Sequence, residues 1–206
     1  MPAQQLTDAE AKKILLKWPT RTKSVWPAPG GKGFWMRGQP RTGSAAGPKL
    51  ASPGADLFTT QPDGLWVHFA DTGSADIVAV EVCGTVQNLN DKRSRYIPAS
   101  HSLVIHCSKA WFAELITVQR GGKKERWRAT ASITQKPASD LKIPVRHLRV
   151  LYALPNKRYE AWTPHHTPTG YEFFCPHSSL NSYTSAKMQK FLRQMSRASH
   201  FYVKPS

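Results

Sequence analysis

The sequence has few cysteines and no long apolar run. Its three cysteines are widely separated among 206 residues, so they do not form the framework of a small disulfide-stabilised protein. No stretch approaches the roughly 18 consecutive apolar residues that a membrane-spanning helix needs. The N-terminus also lacks the basic, apolar and small-residue order of a secretory signal. We therefore expect an intracellular protein with no membrane partner.

Nucleotide-binding motifs are also missing. The chain has no P-loop, no dinucleotide-binding fingerprint and no kinase signature. This absence disfavours nucleotide-driven chemistry. The apolar content of 40% and the seven tryptophans suffice for a packed core, and the length fits a single domain over residues 1–206.

Basic side chains are absent from residues 55–90, although the whole chain has a net charge of +16. The lysines and arginines lie in the two flanks and are mixed with aromatic residues, a pattern typical of proteins that contact nucleic-acid backbones and bases. We therefore predict a nucleic-acid partner, with DNA as the first expectation and RNA as the alternative. Such a protein is expected in the cytoplasm or associated with the nucleoid.

The segment without basic residues holds five acids, which do not favour phosphate binding on their own. They are Asp56, Asp63, Asp71, Asp76 and Glu81. A divalent cation such as Mg²⁺ explains them, because it binds carboxylate oxygens and shares its remaining positions with phosphate. The alternative is that the aspartates lie in hairpin turns, where Asp is common.

Residue patterns predict a helix and then a sheet. The sequence Thr-Asp-Ala-Glu at residues 7–10 has the form of a capping box, and an apolar face continues to Trp18 before Pro19 ends the helix. Residues 19–54, rich in Pro, Gly and Ser, predict a long basic loop. A period of two then predicts strands at 57–60, 65–69 and 77–83, a helix that begins after Gly84 or Thr85, and a strand at 102–107.

The C-terminal half is expected to add strands and a closing helix. The stretch GGKKERWR indicates the tip of a basic hairpin. Further strands are predicted at 145–154 and 159–162, and an amphipathic helix at 179–197. The resulting organisation is a loop at 19–54, a core at 55–110, and added strands with a C-terminal helix at 111–206.

Glu81 interrupts the apolar segment 77–83, where an unpaired carboxylate is costly to bury. If this strand pairs antiparallel with the strand before it, Asp63 lies beside Glu81. Asp56 is the other candidate for a first acid, and the spacing does not decide between the two. Asp76 points to the opposite face if the strand is regular, so it ranks third.

The order Pro62-Asp63, then seventeen residues, then Glu81-Val82-Cys83 and a helix resembles the motif of the PD-(D/E)XK nuclease superfamily. The resemblance covers about residues 54–107. It implies the restriction-endonuclease-like fold, an α/β (α+β) class with a mixed central sheet flanked by helices. It also implies a metal-dependent DNA endonuclease, in which Glu81 and either Asp63 or Asp56 bind Mg²⁺ or Mn²⁺.

The sequence departs from this motif at Cys83, where the superfamily has a lysine. A thiol, with a reference pKa of about 8.5, does not place a positive charge beside a phosphate. Three interpretations stay open. Lys92 on the next helix takes over the role, or the metal acts without a lysine, or the site is inactive. In the last case the protein is a non-catalytic DNA- or RNA-binding module, and Glu81 is held by a partner such as Arg95 or Tyr96.

Phosphate contacts are expected from basic residues of the following helix, of the basic hairpin and of the C-terminal helix. They are Arg93, Arg95, Lys123, Lys124, Arg126, Arg128, Lys187, Lys190 and Arg193. Endonucleases that cut both strands often act as dimers, so a homodimer is an open alternative.

Overall fold

In the residues that it describes, the computed structural model has a mixed β-sheet with two α-helices. The described residues are 6–18, 21–23, 34–37, 49–51, 59–69, 74–96, 103–107, 117–120, 123–126, 141–159, 172–182 and 201–202. Within them lie a ten-stranded sheet and a separate two-stranded hairpin. The α+β class predicted from the sequence is therefore confirmed. None of the helices in these ranges is long and apolar enough to cross a membrane.

Helix α1 spans Asp8–Leu16 and begins at the predicted capping box. The Thr7 side chain accepts a hydrogen bond from the Glu10 amide, and the Glu10 carboxylate accepts one from the Thr7 amide over 2.8 Å. These bonds satisfy amides that a helix start otherwise leaves unpaired. Ala11 and Leu15, one turn apart, form the buried face of the helix.

The strands follow in chain order. They are β1 (Arg21–Lys23), β2 (Phe34–Arg37), β3 (Lys49–Ala51), β4 (Thr59–Thr60), β5 (Gly64–Phe69), β6 (Ala75–Val82), β7 (Val104–Cys107), β8 (Thr117–Arg120), β9 (Lys123–Arg126), β10 (Leu141–Leu154), β11 (Glu172–Pro176) and β12 (Phe201–Tyr202). Helix α2, Val86–Ser94, lies between β6 and β7, and two 3₁₀ helices span Asn156–Arg158 and His177–Ser182. The large sheet has the order β1-β2-β5-β6-β10-β7-β3-β4, with β11 and β12 also paired to β10.

Strands β6 and β10 are parallel neighbours in the middle of this sheet. Every residue of β6 is buried, as expected for a nearly all-apolar strand that is covered on both faces. Strand β5 pairs antiparallel with the other side of β6, which confirms the arrangement predicted for these two strands.

Successive side chains of β6 point to opposite faces of the sheet. On one face, Ile77 and Ala79 share a core with Leu89 from α2. On the other face, Val78 shares a second core with Leu15 from α1. The sheet therefore lies between the two helices.

Contacts with a distant part of the chain hold α1 in place. Trp18 Nε1 donates a hydrogen bond to the Leu180 carbonyl over 2.8 Å, across 162 residues of sequence. The Trp18 ring also lies 5.4 Å from the ring of Trp66 in β5, centroid to centroid. At the start of the helix, His177 Nδ1 lies 3.4 Å from the Leu6 carbonyl. Both ends of α1 thus contact the 3₁₀ helix His177–Ser182.

The segment 19–54, predicted to be a loop, contributes three short strands. Strands β1 and β2 form a hairpin that joins the sheet at β5, and β3 pairs with both β4 and β7. These strands are only three or four residues long. A period of two is hard to recognise over so few residues between prolines and glycines, so the loop prediction was wrong at these positions.

The boundary of the predicted core at 110 also differs from the structure. Strand β10, which is central to the sheet, comes from the region 111–206 that was expected to be an addition. It begins at Leu141, earlier than the predicted residue 145, and includes Pro144 where it pairs with β7. Because β10 pairs in parallel with a segment far away in the sequence, no local pattern predicts its central position.

Other C-terminal predictions have mixed outcomes. The predicted basic hairpin is confirmed by the pairing of β8 with β9. The strand predicted at 159–162 is wrong at its first residue, because Tyr159 is helical and directly follows a 3₁₀ helix; residues 160–162 lie outside the described residues. Of the helix predicted at 179–197, only the residues up to 182 are described, and these belong to a 3₁₀ helix.

Candidate active site

The Asp63 and Glu81 carboxylates lie together at one end of the β5–β6 pair. Gly64 is paired with Val80, so the next residues outward, Asp63 and Glu81, are neighbours across the two strands. Asp63 directly precedes β5. The Val82 amide donates a hydrogen bond to Asp63 Oδ2 over 2.9 Å and so holds this carboxylate in place. This is the position that the antiparallel pairing predicted for Asp63.

Lys92 brings a positive charge to these two carboxylates from helix α2. Thr85, one of the two residues predicted to begin the helix, caps its start by accepting a hydrogen bond from the Asn88 amide. Lys92 Nζ donates to Asp63 Oδ2 over 2.5 Å, to Glu81 Oε2 over 2.9 Å and to the Val82 carbonyl over 3.0 Å. The three donors of the ammonium group therefore face three oxygens.

Tyr96 holds the other oxygen of Glu81. It lies four residues after Lys92, so both side chains extend from the same side of the chain as it leaves α2. The Tyr96 hydroxyl donates to Glu81 Oε1 over 2.5 Å. Glu81 therefore contacts Tyr96, as the non-catalytic alternative predicted, and also Lys92, as the catalytic alternative predicted.

Burial and charge act differently on the three ionisable groups. Burial works to raise the pKa of Asp63, but the hydrogen bond and charge of Lys92 outweigh it and leave that pKa below its usual value. Burial raises the pKa of Glu81 above its usual value, against the opposing charge of Lys92. Burial would lower the pKa of Lys92, yet the Glu81 and Asp63 carboxylates more than compensate and raise it. Lys92 is therefore cationic at neutral pH.

No family model, curated protein or solved structure matches the chain.

The oxygens around Lys92 have the chemistry of a site for a hard cation. Two carboxylates and the Val82 carbonyl are the kind of oxygen ligands that Mg²⁺ accepts. In the described ranges, no three or more His, Cys, Asp or Glu side chains form a metal-binding group. A metal at this position therefore depends on Asp63, Glu81 and backbone or water oxygens.

Cys83 is part of the core next to the site. It is fully buried, and its amide donates to the Ala153 carbonyl over 2.9 Å. Burial raises the pKa of the Cys83 thiol to about 12. At neutral pH the thiol is uncharged, so it does not take the part of the lysine that the superfamily motif has at this position.

A second lysine reaches Asp63 from the opposite helix. Lys12 Nζ on α1 lies 3.0 Å from Asp63 Oδ1, and the Lys12 side chain is 49% exposed. Sequence analysis missed this residue, because its position depends on how α1 packs on the sheet. Asp63 therefore lies where residues from both helical layers meet.

Asp76, ranked third from the sequence, lies outside this site. It lies on the opposite face of β6, where Arg146 donates two hydrogen bonds to its carboxylate over 2.9 and 2.7 Å. His147 Nδ1 is 2.8 Å from Asp76 Oδ1, and His68 Nδ1 is 3.6 Å from Asp76 Oδ2. Burial works to raise the pKa of Asp76, but these neighbours lower it far below its usual value.

The predicted phosphate-binding residues have different surroundings. Arg93 makes a bidentate ion pair with Glu172 of β11, with both distances 2.8 Å, so its guanidinium faces a carboxylate. Arg95 is the C-terminal cap residue of α2 and is half-buried. Lys123, Lys124 and Arg126 belong to β9. The other phosphate-binding candidates, Arg128, Lys187, Lys190 and Arg193, lie outside the described residues, and so does Asp56, the alternative first acid.

Proposed function

We propose that this protein is a metal-dependent nuclease that hydrolyses phosphodiester bonds in DNA and has a restriction-endonuclease-like core. The observation that carries the proposal is the convergence of Asp63, Glu81 and the Val82 carbonyl on Lys92. Paired carboxylates suit a divalent cation. A cationic donor beside them suits the negative charge of a phosphate undergoing hydrolysis.

Asp63 and Glu81 would hold Mg²⁺ or Mn²⁺, with the Val82 carbonyl as a further oxygen ligand. Such an ion acts as a Lewis acid on phosphate and lowers the pKa of a bound water. Tyr96 holds Glu81 Oε1, which leaves Oε2 directed at the centre of the cluster. Asp63, whose side chain is 16% exposed, is the more accessible of the two acids.

Lys92 would supply the positive charge that Cys83 does not. Its raised pKa keeps the ammonium protonated, so it acts as a hydrogen-bond donor and has no lone pair with which to accept a proton. In the structure Lys92 Nζ donates to the same three oxygens that would hold the ion, so the ion would displace it from them. The donors released in this way would orient the attacking water and stabilise the charge that develops on the phosphate in the transition state. Lys92 thereby takes the place of the motif lysine from a position on the next helix.

The charge distribution supports a nucleic-acid substrate. The net charge is +16, and residues 55–90, which include both site acids, contain no Lys or Arg. Lysines from α1 and α2 nevertheless reach Asp63 from both sides. A strand of phosphates is expected to follow the basic flanks and to meet the acids only through a cation.

A second candidate function is nucleic-acid binding without catalysis. It is favoured by the near-complete burial of Glu81, which is 1% exposed and has hydrogen bonds to both carboxylate oxygens. A buried ion pair of this kind also occurs as a purely structural element. In this case Asp63, Glu81 and Lys92 maintain the fold, and the basic surface alone binds the nucleic acid.

Nicking of a supercoiled plasmid distinguishes the two functions. We expect nicking with Mg²⁺ or Mn²⁺ and none with EDTA, and we expect Asp63→Asn and Glu81→Gln to lose it. Asp91→Asn is the matched control, because Asp91 is an exposed acid on α2 that accepts a hydrogen bond from Gln87. Absence of cleavage by the parent protein with either metal, on plasmid and on labelled RNA, would leave only the binding function. Cleavage of RNA but not of plasmid would show that the substrate is RNA and not DNA.

A further inference from the structure

One carboxylate, that of Asp63, is shared between two lysines that differ in exposure. Lys92 contacts Oδ2 from the buried side and is 9% exposed at its side chain, whereas Lys12 contacts Oδ1 from the solvent side and is 49% exposed. Lys92 has two further oxygen partners at the site, Glu81 and Val82. The Lys12 ion pair is therefore the more readily exchanged of the two.

The position of α1 does not depend on the Lys12 ion pair. The capping box fixes the start of the helix, Leu15 is fully buried, and Trp18 is hydrogen-bonded to Leu180. An exposed lysine–carboxylate pair adds little to stability in addition to such contacts. This leaves Lys12 free to change partners while the helix stays in place.

The charges of the cluster explain why such an exchange is expected. Asp63 and Glu81 carry two negative charges, and Lys12 and Lys92 carry two positive charges. A divalent cation on the carboxylates adds two positive charges and repels both ammonium groups. Lys12, which is half-exposed, has room to move into solvent, where a phosphodiester provides a new negative partner.

We propose that Lys12 competes with the divalent cation for Asp63 and, once displaced, binds a phosphate of the DNA strand at the entrance of the site. This inference rests on the proposed function, because it requires a cation on Asp63. Lys12 is then a positioning residue for the substrate strand. Its contact with DNA forms only when the cation is bound.

The first test measures Mn²⁺ binding without DNA, by titration calorimetry, for the full chain and for Lys12→Met. We expect Lys12→Met to bind Mn²⁺ about twofold to fivefold more tightly, the range that corresponds to loss of an exposed ion pair. Lys13→Met is the matched control, because it removes the same charge from the next position on α1.

The second test measures the affinity for a 30-base-pair duplex at low salt, with Ca²⁺ and with EDTA. With Ca²⁺, Lys12→Met should weaken binding about threefold to tenfold and Lys12→Arg should restore it. With EDTA, Lys12→Met and the parent protein should bind alike. If Lys12→Met weakens DNA binding equally with Ca²⁺ and with EDTA, Lys12 does not exchange partners when the cation binds. It would then be a phosphate contact that is independent of the cation.

The two proposals fail in different ways. If the parent protein binds Mn²⁺ and Lys12→Met binds it no more tightly, the exchange is wrong while the nuclease proposal stands. If the parent protein binds no Mn²⁺ and nicks no plasmid, the proposed function fails and the exchange fails with it. Thermal unfolding of Lys12→Met, expected to match that of Lys13→Met, shows that the variants are folded.

Discussion

Lys92 Nζ lies 2.5 Å from Asp63 Oδ2, although the two residues are 29 positions apart and belong to different layers of the fold. Asp63 is placed by the turn into β5, and Lys92 by the second half of α2. The same ammonium also contacts Glu81, so the loss of Lys92 affects both carboxylates.

Lys92→Met should abolish nicking and also destabilise the fold. Removing one partner of a buried ion pair leaves an uncompensated charge, at a cost of about 3–5 kcal/mol. Urea unfolding measures this loss. Combining Lys92→Met with Glu81→Gln should recover much of the stability, because the buried negative charge is then removed as well, but not the nicking. Nicking retained by Lys92→Met alone would show that Lys92 has no role in the reaction.

Tyr96→Phe should reduce stability by about 1–3 kcal/mol, because it leaves Glu81 Oε1 buried without its hydroxyl donor. Urea unfolding at pH 7 measures this change. The ring of Tyr96 also packs edge-on against Tyr152, with centroids 6.5 Å apart, and phenylalanine keeps that contact. The loss of stability caused by Tyr96→Phe should be smaller in a Glu81→Gln background. An equal loss in that background would mean that the Tyr96 hydroxyl stabilises the fold through a group other than Glu81.

Asp76→Asn should make the protein less stable at neutral pH and less sensitive to acid. The pKa of Asp76 is lowered on folding, so its carboxylate stabilises the fold fully above the unfolded pKa near 3.8, and this contribution is lost as the pH falls toward the folded value. We expect a loss of about 3–5 kcal/mol at pH 7, since a buried pair with Arg146 is broken. Urea unfolding should show that the free energies of unfolding of Asp76→Asn and the parent protein differ less at pH 3 than at pH 7. An equal difference at both pH values would show that the pKa of Asp76 is not lowered on folding.

Gly84→Ala should displace the Asp8 side chain at little cost in stability. A Cβ atom at this position would overlap with Asp8 Oδ2, but that atom is the end of a flexible side chain that can turn away. We expect a loss of at most about 0.5 kcal/mol in urea unfolding. Combining Asp8→Ala with Gly84→Ala should remove this loss. A loss of several kcal/mol would show that the backbone at Gly84 does not accept an alanine.

The neighbouring positions of Asp63 and Glu81 could be predicted because they depend on local signals. The turn residues before β5, the short connection to β6 and the period of two together fix an antiparallel register. Lys92 was expected near the acids for a similar reason, since the helix that carries it directly follows β6. Glu81 also indicated a site at this place, because an acid in an apolar strand needs a partner.

Features that depend on distant segments could not be predicted in the same way. The pairing of β6 with β10 joins segments about 70 residues apart and decides which strands are central. Lys12 reaches Asp63 only because α1 packs against the opposite face of the sheet. Arg93 was expected to bind phosphate, but its partner Glu172 lies on a strand that had no clear sequence signal.

The bond between Trp18 and Leu180 has a consequence for the order in which the protein assembles during synthesis. Helix α1 is made before the other described strands and helices, yet the carbonyl that receives the Trp18 hydrogen bond is made 162 residues later. At a synthesis rate of about 5–20 residues per second, this delay lasts on the order of ten to thirty seconds. During that time Trp18 lacks this hydrogen bond, and Leu15 lacks the part of its core that Leu180 supplies. Helix α1 would therefore complete its packing only when almost all of the described fold has been made.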